Sequence, residues 1–94
     1  MASVFVRHRV ADYETWKPIF DDHEGERRDA GVIGHSLHRD AADPNVLVIA
    51  LRVNDIARAR EFALSADLRE TMMRAGVQDA PEFWFTEDIE EQKY

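Results

Sequence analysis

Val32-Ile33-Gly34-His35-Ser36-Leu37-His38-Arg39 and Val46-Leu47-Val48-Ile49-Ala50-Leu51-Arg52-Val53, separated by Asp40-Ala41-Ala42-Asp43-Pro44-Asn45, decide the fold of this 94-residue chain. Both flanking runs are β-rich, and the polar link between them carries a Pro and an Asn that suit a chain reversal, so the stretch reads as a hairpin. Upstream, Gly31 is a natural left-handed stop for a helix running from about Asp12 to Ala30. Its residues Tyr13, Trp16, Phe20, His23 and Arg27 recur at steps of three and four. Pro18, well inside that helix, removes a backbone hydrogen bond and predicts a kink or an irregular first turn. Before it, Ser3 to Val10 alternates, with Val4, Val6, His8 and Val10 on one face and Phe5, Arg7 and Arg9 on the other, the period-two signature of a strand.

Downstream of the hairpin, Asn54 or Asp55 caps a second helix carrying Ile56, Ala59, Phe62 and Ala63. Ser65 to Asp67 breaks it before a short third helix, for which Asp67 and Glu70 form a capping-box pattern and Gly76 forms the end. Pro81 introduces a last strand, Glu82 to Glu87. The order strand, helix, strand, strand, helix, strand predicts a single α+β domain over residues 1–94. Its type is ferredoxin-like βαββαβ, a four-stranded antiparallel sheet with the helices on one face.

The other face of the sheet sets the quaternary expectation. Pairing Arg39 with Val46 puts Gly34, Ser36 and His38 beside Leu47, Ile49, Leu51 and Val53, facing the helices. Ile33, His35 and Leu37 then share the opposite face with Val46, Val48 and Ala50, and Phe5 and Trp84 join them. An apolar surface of that size marks an interface. A homodimer joined sheet to sheet, through Leu37, Val46 and Val48, is the expected assembly.

Composition bounds the function classes. A chain this short buries roughly 60 to 65 % of its unfolded surface, enough for one thin core. With 45% hydrophobic and 33% charged residues and no long apolar run, it reads as a globular domain that does not span a membrane. No export signal is visible at the N-terminus, so a cytoplasmic location is expected. The 19 acidic residues against 12 basic give a net charge of −7 and no basic stripe, which argues against nucleic acid as a partner. The absence of cysteine removes disulfides, thiolate nucleophiles and zinc–thiolate sites, leaving histidine and carboxylate as the reactive groups. The polar tail from Asp88 to Tyr94 is either a solvated terminus or an arm over a partner subunit.

The runs Asp12-Tyr13-Glu14-Thr15-Trp16-Lys17-Pro18, Phe20-Asp21-Asp22-His23, Arg39-Asp40 before Asp43-Pro44-Asn45, Ala59-Arg60-Glu61-Phe62, Ser65, and Asp67-Leu68-Arg69 resemble the dimeric α+β barrel superfamily. The likeness is in particular to its small antibiotic biosynthesis monooxygenase-like and cyclase-like members. The resemblance spans nearly the whole chain and implies the fold and the dimer. It also implies a pocket between sheet and helices, on a scaffold whose members include cofactor-independent oxygenases, lactone isomerases, polyketide cyclases and haem proteins.

Three histidines are expected in that cleft: His8 beside Val4 and Val6, His38 beside Leu47 and Ile49, and His23 on the inward stripe of the first helix. Unpartnered imidazoles in an apolar layer cost roughly 1 to 3 kcal/mol each, so three of them argue for a solvated or ligand-filled cavity, unless each is satisfied by a carboxylate or carbonyl. His23 is the candidate general base, able to take a proton from a phenol or from carbon beside a carbonyl. His38 or His8 would orient the substrate or hold a developing oxyanion. Tyr13, Trp16 and Phe20 supply either an aromatic wall for a flat ligand or plain helix core. Arg27 pairs with an anionic substrate group or with a surface carboxylate. No histidine pair has i, i+4 metal spacing and no glycine loop suits a phosphate, so neither metal nor organic cofactor is expected. Together with these residues, the resemblance implies a small cofactor-independent enzyme of monooxygenase or cyclase type acting on an aromatic or polyketide-like molecule. The alternative is a non-catalytic dimeric module that binds a small ligand or serves a structural role.

Overall fold

A computed structural model, which describes residues 1–94, places β1 at Ala2–Arg9, β2 at Val32–Arg39, β3 at Val46–Val53 and β4 at Glu82–Glu87. The strands form one antiparallel sheet in the order β2-β3-β1-β4. Helices α1 (Tyr13–Asp22), α2 (Glu24–Asp29), α3 (Ile56–Ala63) and α4 (Ala66–Arg74) cover one of its faces. Between the two layers lies the core, where Val4, Val6, Leu47, Ile49, Leu51 and Val53 from the sheet meet Trp16, Ala59 and Ala75 from the helical layer. Each such large side chain removed from water contributes about 1.5–3 kcal/mol. None of the helices is long and apolar enough to cross a membrane.

The expected first helix is two helices. Asp12 caps α1 by accepting the Thr15 N–H at 2.7 Å, and Pro18 lies within it without ending it. The break falls instead at His23, whose N–H turns back to the Phe20 and Asp21 carbonyls and whose backbone leaves helical geometry at φ −89°, ψ 7°. His23 is therefore both the end of α1 and the residue preceding α2, and its ring is turned inward. A similar correction applies to the last helix. Ser65, not Asp67, is its N-cap, accepting the Leu68 N–H at 3.1 Å, which leaves the Asp67 carboxylate free for another partner.

The hairpin register differs by one residue from the expected one. Arg39 pairs with Leu47, His38 with Val48 and Leu37 with Ile49. The cause is turn chemistry. Asp40 and Asp43 each accept a backbone N–H two residues on, from Ala42 and Asn45, and the reversal closes with Asp40 N–H donating to the Val46 carbonyl at 2.9 Å. A bulge at Ile33 then resets the strand so that Val32 still pairs with Val53 and is buried. Since side chains alternate, the shift moves His35 and Leu37 to the helix-facing side and His38 to the outer side. Leu47 and Ile49 do face the helices.

The outer face therefore carries Phe5, Val48, Ala50 and Trp84 at its centre, ringed by Ser36, His38, Arg7, Arg52 and Glu82. Leu37 does not belong to it, and Val46, 3% exposed within one chain, has no surface left to offer a partner. Phe5 and Trp84 are 38% and 46% exposed. At the sheet edge the C-terminal segment is tied down at its start, with Asp88 donating its N–H to Met1 and accepting from the Ser3 hydroxyl at 2.6 Å.

Candidate functional site

Sheet and helices do not close completely on one another. Between them lies a cavity with about 70 Å³ of free space, lined mainly by apolar side chains and including His8, Trp16, Phe20, His23 and Arg27. Volume of this kind holds a handful of waters, at about 10–15 Å³ each. A row of flat groups forms one wall. His8 tilts against Trp16 with ring centroids 5.8 Å apart, Trp16 stacks on Phe20 at 4.7 Å, and the Arg27 guanidinium carbon lies 3.7 Å above the Phe20 ring.

His8 sits on β1 with Val4 and Val6, as the alternation requires, and is 5% exposed. Its Nδ1 is buried with no hydrogen-bond partner. Removal from water pushes its pKa down to about 4, so the ring is neutral at physiological pH. His23 has a different environment. Its Nε2 lies 2.7 Å from Asp67 Oδ2, and its ring stacks on Phe62 at 5.7 Å. With Asp67 as the acceptor of this bond, Nε2 carries the hydrogen and Nδ1 is the ring nitrogen left over. Asp67 reaches it from the first turn of α4, 44 residues away in sequence, and is itself solvent-exposed.

Arg27 is 4% exposed. One guanidinium nitrogen, Nη1, donates to the Phe20 carbonyl at 2.6 Å, while Nη2 is buried without an acceptor. No carboxylate forms an ion pair with it, and burial lowers its pKa against the opposing pull of Glu24, Asp21 and Glu26. The surface-carboxylate reading of Arg27 is thus not the arrangement found.

Two of the candidates lie elsewhere. Tyr13 stands 6.0 Å from Trp16 and lines a second pocket, on the other side of Trp16, with Leu37, His38 and Arg39. His38 is exposed, with its Nε2 2.9 Å from the Ser36 hydroxyl, so the register shift takes it out of the cleft. Two residues in the site's neighbourhood were not among the candidates. His35 reaches the helix-facing side and meets Phe20 edge-on at 5.1 Å, with its pKa lowered by desolvation and by the nearby Arg27 and Lys17. The sequence pattern reads Asp67 as a capping residue, although Ser65 two residues earlier is an equally good cap and frees Asp67 for His23. No three His, Asp or Glu side chains converge closely enough to hold a metal ion.

No family model and no curated protein matches the chain. Solved structures do. A protein described as an antibiotic biosynthesis monooxygenase from Bordetella bronchiseptica superposes with a TM-score of 0.75 at 15% identity, over 94% of this chain and 96% of that one. A Caulobacter crescentus protein of the same description gives a TM-score of 0.71 at 13% identity, over 95% and 90%. SnoaB, a cofactor-independent oxygenase from Streptomyces nogalater, gives 0.67 at 13% identity, over 94% of each chain. At these identities the likeness is one of fold. The chain has the α+β fold of the antibiotic biosynthesis monooxygenase-like proteins, along its whole length.

Proposed function

We propose that the chain is a small cofactor-independent enzyme, of monooxygenase or cyclase type, acting on an aromatic or polyketide-like small molecule in the cavity between sheet and helices. The observation that carries this reading is the His23–Asp67 pair, with His23 on the wall of the cavity and Asp67 behind it in solvent. Asp67 accepting from Nε2–H would leave Nδ1 as the acceptor that a general base needs. Proton transfer to Nδ1 from a phenol, or from carbon beside a carbonyl, leaves an electron-rich anion. That anion either attacks a carbonyl of the same molecule, as in cyclisation, or reacts with dioxygen at carbon. In the second case a hydroperoxide forms and loses water to leave a carbonyl group. His8, neutral and unpartnered at Nδ1, would hydrogen-bond a substrate hydroxyl that reaches it. The likeness of fold to a cofactor-independent oxygenase is in keeping with this chemistry.

The test is turnover of phenolic and polyketide-like candidates, followed by oxygen uptake and product analysis. His23→Ala and His23→Asn should lower the rate by roughly 10²- to 10⁴-fold, the loss expected for one general base, with the fold retained. Full activity in both variants would overturn the assignment. The small free volume of about 70 Å³ favours a second reading, a non-catalytic binding module for a small ligand. Ligand binding without turnover of any candidate would support it.

The same reading includes a homodimer through the outer face of the sheet. Phe5 and Trp84 are substantially exposed beside Val48 and Ala50, and a second copy of the same face would cover them.

A further inference from the structure

Among buried side-chain polar atoms, His8 Nδ1 and Arg27 Nη2 lack any partner; both residues line the cavity between sheet and helices, and Arg27 also borders a wider opening beside Glu24 and His35. For Arg27 the omission is chemically severe, because guanidinium stays charged and has no acceptor capacity, so a buried N–H₂ group must be met by an acceptor or carry the full cost of desolvation. Nothing in the chain meets it. The carbonyl of Phe20 takes Nη1 only, and Glu24, Asp21 and Glu26, the acidic groups nearest in charge, are exposed and make no ion pair with it. Leaving one partner of a buried charge pair absent is the costly arrangement, and a cavity beside it is where the missing anion belongs.

We infer that Arg27 is an anion-binding residue and that the ligand of this cavity is a single-ring aromatic carboxylate, its carboxylate on Nη2 and its ring along the wall formed by Phe20 and Trp16. Deepening the proposed function, this rests on the cavity being the ligand site. Three observations select the class. The positive group is held over Phe20, its Cζ 3.7 Å from the ring centroid, with Nη1 already taken by a carbonyl and Nη2 left for an acceptor. The rest of the lining is overwhelmingly apolar, which rejects a bare inorganic anion. About 70 Å³ of free space is roughly half of a benzene-sized cavity, so one ring enters by displacing the partly buried Phe62 and Met72, whereas a fused polycycle needs several times more room.

The test uses benzoate, benzyl alcohol and inorganic phosphate as probes, with binding read by tryptophan emission and by amide shifts in NMR spectra. Benzoate should bind at least about tenfold more tightly than benzyl alcohol, the factor set by one buried charge-assisted hydrogen bond, and phosphate should bind more weakly than benzoate. Arg27→Gln should abolish the preference for benzoate, and Arg27→Lys should retain part of it. If Arg27→Gln does not fold, the probe comparison on the unaltered protein decides, together with perturbation of the Arg27 side-chain N–H signals by benzoate. Equal binding of benzoate and benzyl alcohol would overturn the inference, as would a benzoate preference that survives in Arg27→Gln. Phosphate binding as tight as benzoate would overturn the aromatic part. Benzoate selectivity without turnover of any candidate sinks the catalytic reading and leaves this one standing. Turnover of neutral phenols that neither benzoate nor Arg27→Gln alters sinks this one alone.

Discussion

Lowering the pH should destabilise this chain in a window set largely by His8. Its imidazole is 5% exposed, and burial pushes its pKa from the usual 6.5 to about 4. The unfolded chain takes up a proton at this residue once the pH falls below 6.5, while the folded chain refuses it until about 4. Stability from this residue is therefore complete above pH 6.5 and drains away as the pH falls through that interval. A shift of about two and a half units at 1.36 kcal/mol each gives about 3 kcal/mol. That is a large fraction of the 5–15 kcal/mol typical of a small domain. Leu at position 8 has a similar volume, leaves no polar atom without a partner and does not titrate. The assay is urea unfolding followed by tryptophan emission, Trp16 being 3% exposed, at fixed protein concentration from pH 7 to pH 4. The stability of His8→Leu relative to the unaltered protein should rise by about 3 kcal/mol across that range, since all other titrating groups are common to both and cancel. Parallel profiles would refute the claim that burial holds His8 neutral.

Asp67→Asn keeps the side chain's shape and loses the fixed acceptor, so turnover should fall, by less than the roughly 10⁴-fold seen when a fully buried orienting carboxylate is changed, because Asp67 is 61% exposed; an unchanged kcat/KM would remove Asp67 from the mechanism. Val48→Asp places a charge at the centre of the outer face and should convert the proposed dimer to monomer while leaving the chain folded, as read by sedimentation and circular dichroism; an unaltered protein that sediments as a monomer at micromolar concentration would refute the dimer. Ser65→Ala removes the cap on α4 and should cost about 1 kcal/mol, lowering Tm by about 4–8 °C, whereas a smaller loss than that of Asp67→Asn would return the capping role to Asp67.

The fold was legible because it rests on periodicity. Strand alternation in Val4-Phe5-Val6 and Val46 to Val53, and the three- and four-residue steps through Tyr13, Trp16 and Phe20, are repeated signals that one irregular residue does not erase. The places where the reading failed are single-residue decisions. Asp40 and Asp43 tighten the hairpin turn by hydrogen bonds to Ala42 and Asn45, and one residue of slip moved His35, Leu37 and His38 to the faces opposite those expected. Apolar content did not flag the error, because β2 carries only Val32, Ile33 and Leu37 and its alternation is weak. The bulge at Ile33, which restores Val32 to the core, has no local signature.

The site was legible only in the parts that periodicity fixes. His8, Trp16, Phe20, His23 and Arg27 each lie on a regular face, and the structure brings all five to one cavity. What gives two of them distinct chemistry is non-local. Asp67 meets His23 across 44 residues, and the choice between capping its own helix and reaching that ring depends on Ser65 taking the cap first. Arg27 shows the converse. The spacing placed it one turn beyond His23, but whether its charge would be neutralised depended on how α2 turns after the break at His23. That break buries the guanidinium against Phe20 and leaves Glu24 and Glu26 in solvent. A chain that exposes its carboxylates while burying the neighbouring arginine has left a positive charge in the cavity with no counter-ion of its own. That unmet charge ties the candidate site to a ligand more directly than the histidines do, because a neutral imidazole tolerates a dry cavity far better than a guanidinium does.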